Sequence, residues 1–417
     1  MRFVFTVGGW YLGGFVTFCR NLSTGLRNSG HQVALLILPE ANPGRPPATE
    51  VFDQCVIVPR GISRLISHLD KVVKAMDQLA PEILVINDSP FAMAALPFMH
   101  RDVLRIPVIH NTTPEEMKLG LMSPQWWDRA LAVSPHVGRA AAAQGFGDRL
   151  SICPLGVPIP ARTDRRLSAP SRIGRIRLIS VSRVVIEQKR MDRVPAIAAS
   201  LRKQNLDFHW TVLGSGDYLP KLERELERLN LRDHVSLRGS VPNQEVAEAL
   251  QTADVFIMPS DYEGLPQALL EAMANGVVPV VSRIEGATTC AVTHGISGFL
   301  CEPSETEDFA RAVMMLAAGP ARRREMSEEA AAAVRKEFSL EAFTARFLEI
   351  AAQLRGRQFQ RASALPLSSL HCHPNQFRCL GFWRNARHQL LGRLKHRWLA
   401  RNLKSSCPEG ALEPTLG

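Results

Sequence analysis

Short apolar runs alternate with helical stretches on both sides of one Pro-, Arg-, Ser- and Thr-rich segment at 158–175, and this constrains the chain more than any other feature. One parallel strand reaches the next only through a crossover of helical length, so strand followed by helix, repeated, builds a sheet covered on both faces. Two such series imply an α/β protein of two doubly wound, Rossmann-like domains facing one another across a cleft. The boundaries read as 1–160, a linker at 161–173, and 174–340, with a closing helix at 341–355 and a tail at 356–417. A chain of 417 residues, 46% hydrophobic and 22% charged, can bury two cores of ordinary size.

The run from Ser260 to Gly276 carries the clearest functional signal. Pro266 suits the first turn of a helix, Ala268 to Met273 favour its continuation and Asn275-Gly276 can stop it, so Glu263 lies in the entering loop and Glu271 in the helix. Amides at Gly264, Leu265 and beyond Pro266 then lack intrahelical acceptors and sit in positive potential, which suits a phosphate. Two carboxylates beside that point can accept hydrogen bonds from hydroxyls on either side of a diphosphate. An isolated pair of this spacing is more often a solvated loop and an exposed helix face, so its surroundings decide. The apolar run at 176–182 ends in Arg183, with Lys189 after a short polar loop, which sets a planar fork and a point charge at the carboxyl end of a strand. A second strand at 210–213 runs into Gly214-Ser-Gly216. In the first half, the strand at 2–7 enters a loop containing Gly8-Gly9 and Gly13-Gly14, where backbone can approach a ligand closely. The strand at 106–109 delivers His110 to its carboxyl end, although a lone His is more often structural.

The stretch from Ser180 to Leu300 resembles the carboxyl-terminal domain of glycosyltransferase family 4, the retaining sugar-nucleotide enzymes of GT-B fold. The resemblance rests on Val181-Ser-Arg183 with Lys189, Val212-Leu-Gly-Ser-Gly216, Leu237-Arg-Gly-Ser240, Ala253 to Ser260, Glu263-Gly-Leu-Pro through Glu271-Ala-Met-Ala, and Gly298-Phe-Leu300. It implies transfer of a sugar from a nucleoside-diphosphate sugar to a glycan or lipid-linked acceptor with retention of configuration, in polysaccharide or lipopolysaccharide assembly, with 1–160 as the acceptor-binding domain and 174–340 as the sugar-nucleotide-binding domain. By the same resemblance His110, Arg183, Lys189 and Glu263 are the catalytic set, with His110 approaching the transferred sugar and Glu263 holding its hydroxyls. Gly14, Gly214, Gly216, Arg238, Gly239, Gly264, Leu265 and Pro266 are expected to bind the donor, and Glu271 to hold its ribose hydroxyls. Two departures stand out. Val16 occupies a position where many members carry an acid, and Thr288 or Thr289 stands where the family usually has a glutamate. A sugar-nucleotide 2-epimerase of the same fold, or a catalytically impaired membrane-associated scaffold, are the competing readings.

No Asp-x-Asp metal motif is evident, and fixed cations can carry the leaving-group charge, so neither metal nor cofactor is expected. His371-Cys372-His373 with Cys379 matches no zinc module, since adjacent ligands cannot easily converge on one ion. Eight scattered cysteines without Cys-x-x-Cys read as reduced thiols. No segment is apolar for long enough to span a bilayer and Met1 to Trp10 lacks a signal pattern, so a cytoplasmic protein is expected. Beyond Glu349 the chain holds eleven Arg and Lys against Glu409 and Glu413, a balance of +9 out of a formal +10. Within this tail Phe382, Ala386, Leu390, Leu394 and Trp398 recur every fourth residue among cations, an amphipathic helix at 382–403. Its targets are an anionic membrane face or an acidic partner; docking on the body, or disorder, would equally fit the pattern. No base-reading motif accompanies the charge, which argues against nucleic acid.

Overall fold

The computed structural model describes residues 1–10, 13–39, 51–59, 65–99, 102–160, 175–355 and 364–365. The linker at 161–173, the cysteine and histidine cluster at 371–379 and the helix at 382–403 lie outside them.

Two parallel sheets form the body. The first joins β1 (Arg2–Val7), β2 (Gln32–Ile37), β3 (Gln54–Ile57), β4 (Ile83–Asn87), β5 (Leu104–Ile109), β6 (Ala130–Ala132) and β7 (Leu150–Ile152) in the order β3-β2-β1-β4-β5-β6-β7. The second joins β8 (Ile176–Val181), β9 (Phe208–Leu213), β10 (Val235–Leu237), β11 (Val255–Met258), β12 (Val278–Ser282) and β13 (Phe299–Cys301) in the order β10-β9-β8-β11-β12-β13. Helices covering the first are α1 (Gly14–Asn28), α2 (Leu65–Gln78), α3 (Pro90–Ala95), α4 (Pro114–Gly120) and α5 (Pro135–Ala141). Those of the second half are α6 (Val194–Lys203), α7 (Leu219–Arg228), α8 (Asn243–Thr252), α9 (Gln267–Ala274), α10 (Thr306–Ala318), α11 (Pro320–Glu337) and α12 (Leu340–Leu354).

Inner strands such as β4, β11 and β12 read as near-continuous apolar runs because helices cover both of their faces. All five residues of β4 are buried, and so are five of the six in β1. A polar relay crosses the second sheet: the Trp210 indole donates to Ser180 Oγ at 3.0 Å, and that hydroxyl donates to the Ile257 carbonyl at 2.7 Å. Both sheets reverse their winding once, between β1 and β4 and between β8 and β11. Ligands of such sheets bind outside the carboxyl ends of the strands at this reversal.

The two halves are tied together by α12. Ser339 caps it, its hydroxyl accepting from the Ala342 N–H at 3.2 Å. The helix then returns to the first half, where Phe343 meets Phe18 and Phe347 meets Phe3, with ring centroids 5.4 and 5.8 Å apart. Gly25 in α1 permits this approach, since a Cβ there would lie 1.8 Å from Thr344 Oγ1. Both phenylalanines are fully buried, a contribution of roughly 1.5–3 kcal/mol each. Asn21 adds a buried bond from Nδ2 to the Gly156 carbonyl at 2.7 Å.

Candidate active site

Between the two winding reversals lies a cavity of about 810 Å³ lined by residues of both halves. Its second-half wall starts where β8 ends. Arg183 is the second residue beyond the strand, and the turn that carries it packs against the loop after β9. Gly214 and Gly216 make this possible, since a Cβ on them would come 1.8 Å from the Ser182 carbonyl and 2.3 Å from that of Val184. Arg183 Nη2 donates to Gln188 Oε1 at 2.7 Å, and Gln188 Nε2 donates to the Tyr262 carbonyl at 3.2 Å and to Glu263 Oε2 at 3.3 Å. Lys189 Nζ donates to the other oxygen of Glu263 at 2.6 Å. Glu263 is only 4% exposed, and this ion pair together with the Gln188 bond compensates its burial. An ammonium has three donors, so Lys189 keeps two after serving Glu263.

The loops that carry these groups are locked to each other. Asp261 receives the guanidinium groups of Arg190 at 2.9 Å and Arg193 at 2.6 Å, and its N–H donates to the Gln188 carbonyl at 2.9 Å. Past Glu263, Pro266 caps α9 with an extended ψ of 110°, so the helix begins one residue later than the sequence suggested. The earliest amides donating to its carbonyls are those of Leu269 and Leu270, both to Pro266, which leaves the N–H groups of Gln267 and Ala268 for a ligand. Glu271 lies in the second turn of α9, and burial in the cavity wall pushes its carboxyl up to about 7, with Arg20 opposing the shift from the other half.

The first-half wall carries Gly13 before α1, Gly14 and Arg20 within it, Asp88 after β4, His110 and Asn111 after β5, and Glu116 in α4. His110 Nε2 donates to Asn87 Oδ1 at 2.8 Å, and burial lowers its pKa to about 4, so the ring is neutral at physiological pH. Asp88 has φ 37°, an unusual backbone for a non-glycine residue, and its carbonyl accepts from the Gly8 N–H at 3.2 Å. Burial raises the Asp88 carboxyl, and that of Glu116 reaches about 7, through burial first and the neighbouring Asp88 second. The walls touch at one point above all: a Cβ on Gly264 would lie 1.8 Å from the His110 carbonyl oxygen. A second contact between the halves joins the His136 N–H to the Gly286 carbonyl at 3.0 Å and Arg139 to the Glu285 carbonyl at 2.7 Å.

The cavity therefore brings together His110, Arg183, Lys189, Glu263, Gly14, Gly264, Leu265, Pro266 and Glu271. Gly214, Gly216, Arg238 and Gly239 stand outside its lining. The first two serve the packing that positions Arg183, Gly239 bonds its carbonyl to the Gly214 N–H at 2.8 Å, and Arg238 spends its charge on Glu245 at an exposed edge, 3.3 Å away. Thr288 and Thr289 also stay off the lining: Thr288 Oγ1 donates to the Ser282 carbonyl at 2.7 Å, and Thr289 Oγ1 accepts from the Gly286 N–H at 2.8 Å. Val16 is buried in the apolar face of α1. Among the described residues no group of three His, Cys, Asp or Glu could hold a metal ion. Sequence reasoning missed Arg20, Asp88, Asn111, Glu116 and Gln188. Asp88 and Asn111 had a readable signal, their places just after buried strands.

Comparison with known proteins agrees with this architecture. Residues 164–333 match the family described as Glycosyl transferases group 1, and residues 12–159 match Glycosyltransferase Family 4. A protein of Salmonella typhimurium named for colanic acid biosynthesis is 30% identical over 216 residues, 50% of this chain and 51% of the relative. The amylovoran biosynthesis glycosyltransferase AmsK of Erwinia amylovora is 33% identical over 152 residues, 35% of this chain and 37% of its own. The chain thus spans about half the length or less of these curated relatives. The structure of Anabaena HepE with UDP and glucose superposes with a TM-score of 0.71 at 15% identity, covering 85% of this chain and 100% of that one. Staphylococcus aureus TarM gives 0.70 at 13% identity over 84% and 99%. The fold is thus that of GT-B glycosyltransferases, and with both halves matched by its sequence families the chain belongs to the group 1/family 4 glycosyltransferases.

Proposed function

We propose that the protein is a retaining glycosyltransferase that moves a sugar from a nucleoside-diphosphate sugar to a hydroxyl of a glycan or lipid-linked acceptor. The observation that carries this reading is that Arg183, Lys189 and the first residues of α9 line one cavity together with Glu263, Glu271 and His110. Breaking the bond from the anomeric carbon to the diphosphate builds negative charge on the leaving group, and donors fixed in advance stabilise that charge without reorganising. Arg183 and Lys189 are those donors, with no divalent ion required. Glu271 accepts from the ribose hydroxyls, Glu263 from hydroxyls of the donor sugar, and the neutral His110 ring bounds the transferred sugar.

The names of the relatives support a place in surface polysaccharide assembly. No helix among the described residues is long and apolar enough to cross a membrane. A cytoplasmic location with contact to an anionic membrane through 382–403 is the accompanying proposal, tested by sedimenting the full chain with vesicles rich in anionic lipid. The decisive experiment is a thermal-shift screen of UDP-, GDP-, ADP- and dTDP-sugars, followed by radiolabelled transfer and NMR of the product anomer with and without EDTA. A ligand that binds only the folded chain raises its melting temperature. Stabilisation by none of the sugar nucleotides sinks the proposal, and an inverted product or EDTA-sensitive turnover removes its finer parts.

A further inference from the structure

Among the described residues Arg183 has one hydrogen-bond partner, and it is a neutral amide. Gln188 lines the cavity, is only 6% exposed, and bridges two charged groups that the donor reading uses, Arg183 and Glu263. Its polarity is set by its neighbours. A guanidinium only donates, so Oε1 is the atom that accepts from Arg183 Nη2 at 2.7 Å. A carbonyl and an ionised carboxylate only accept, so Nε2 is the atom that donates to the Tyr262 carbonyl at 3.2 Å and to Glu263 Oε2 at 3.3 Å. No other side chain of this length offers both ends: Glu keeps the acceptor and repels Glu263, Lys keeps a donor and repels Arg183, and Met keeps the shape alone.

The amide is itself held from behind. The Gln188 carbonyl accepts from the Asp261 N–H at 2.9 Å, and Asp261 is gripped by Arg190 and Arg193. An exposed arginine otherwise spreads over many rotamers, so one bond at Nη2 aims its planar fork and leaves Nε and Nη1 for a ligand. A donor aimed before the reaction loses nothing to reorganisation when charge appears. Because the same amide also touches Glu263, the cation and the carboxylate are set in one frame rather than separately.

We propose that Gln188 is a positioning residue for sugar transfer: it aims Arg183 at the diphosphate leaving group and keeps it in register with Glu263. The inference deepens the glycosyl-transfer reading and rests on it. Its test uses the full chain, the UDP-, GDP-, ADP- or dTDP-sugar that stabilises it, and the matching nucleoside diphosphate. Gln188→Met should lower kcat, read as sugar released from that donor, by about tenfold to a hundredfold, as misplacing a reacting partner by an ångström does. The KM should rise less, because aim matters most once the leaving group is charged. Calorimetry should show nucleoside-diphosphate affinity falling about tenfold, the worth of one bond to a charged group. Gln188→Glu should lose more than Gln188→Met on both counts, since it matches the native shape and yet sets a negative charge beside the diphosphate site. In an Arg183→Ala background Gln188→Met should change that affinity by less than about threefold, because the group it acts through is gone. A side chain that only fills space would cost the same in both backgrounds. Equal losses in the two backgrounds, or native kcat and affinity in Gln188→Met, would overturn the inference while donor binding persists. If neither sugar nucleotide nor nucleoside diphosphate binds the native chain, the glycosyl-transfer reading itself falls, and the positioning role with it.

Discussion

The two walls of the cavity are built on opposite plans. On the second-half wall each charged group except Glu271 is already engaged, Lys189 with Glu263 and Arg183 with Gln188, and behind it Arg190 and Arg193 hold Asp261. On the first-half wall Arg20, Asp88 and Glu116 have no hydrogen-bond or ion-pair partner among the described residues. The braced side holds its dipoles before a ligand arrives, which is what stabilising a charged leaving group demands. The uncommitted side pays for its unpaired groups until a ligand satisfies them, and so can discriminate among ligands.

Breaking the braced side should have the largest effect. Lys189→Ala removes a donor from the diphosphate end and strands Glu263 as a buried charge. Turnover should fall by about a hundredfold or more, and stability by roughly 3–5 kcal/mol, read by radiolabelled transfer and urea unfolding. Adding Glu263→Gln to Lys189→Ala should restore most of the stability and none of the turnover. Near-normal turnover in Lys189→Ala would mean that this wall is not where the donor reacts.

The point where the walls meet comes next. Gly264→Ala puts a methyl 1.8 Å from the His110 carbonyl oxygen, so one backbone must retreat. The shift separates His110 from Glu263 by a fraction of an ångström to an ångström, and misplacement on that scale costs about tenfold to a hundredfold in turnover. The melting temperature should fall less than in Lys189→Ala, because no charge is stranded. An unaltered rate would show that the walls need not touch for reaction.

These two cases also mark what the sequence could and could not reveal. The parallel strands were legible because burial on both faces forces continuous apolar runs, and β1 and β4 fall where those runs do. Arg183, Lys189, Glu263 and Glu271 were legible because they lie at fixed distances from strand ends and a helix start. The ion pair between Lys189 and Glu263 was not, since it joins loops 74 residues apart. Arg238, whose motif borders β10, stands off the cavity lining beside Glu245, a partner its local pattern did not announce. Glu116 carries no local pattern at all: only the packing of α4 against the first sheet brings it into the cavity.

A smaller effect concerns pH. The Glu271 carboxyl rises from its ordinary 4.5 to about 7 on folding because burial disfavours its charge. The folded state then binds the proton more tightly than the unfolded chain. Its contribution to stability is complete below about 4.5 and is lost as pH climbs through about 7. The loss should be about 1–2 kcal/mol once solvent in the cavity is allowed for, visible as a falling urea midpoint across that window. Glu271→Gln should flatten this part of the profile, leaving the slope that Glu116 contributes. Parallel profiles for the two proteins would mean that residue 271 is solvated.

Arg20 offers the finest test, because it is the cation of the uncommitted wall whose charge reaches the braced one. It lines the cavity from α1 and favours the ionised form of Glu271 across the gap. A ribose lying between them could accept from the guanidinium and donate to the carboxylate. Arg20→Ala should therefore weaken nucleoside-diphosphate binding by calorimetry about threefold to tenfold, the worth of a single solvent-reachable bond. It should also move the Glu271 titration further upward, whereas Arg20→Lys should retain the titration and lose part of the affinity, having no planar fork. If affinity and titration both stay as in the native chain, the two walls act independently at the nucleoside end.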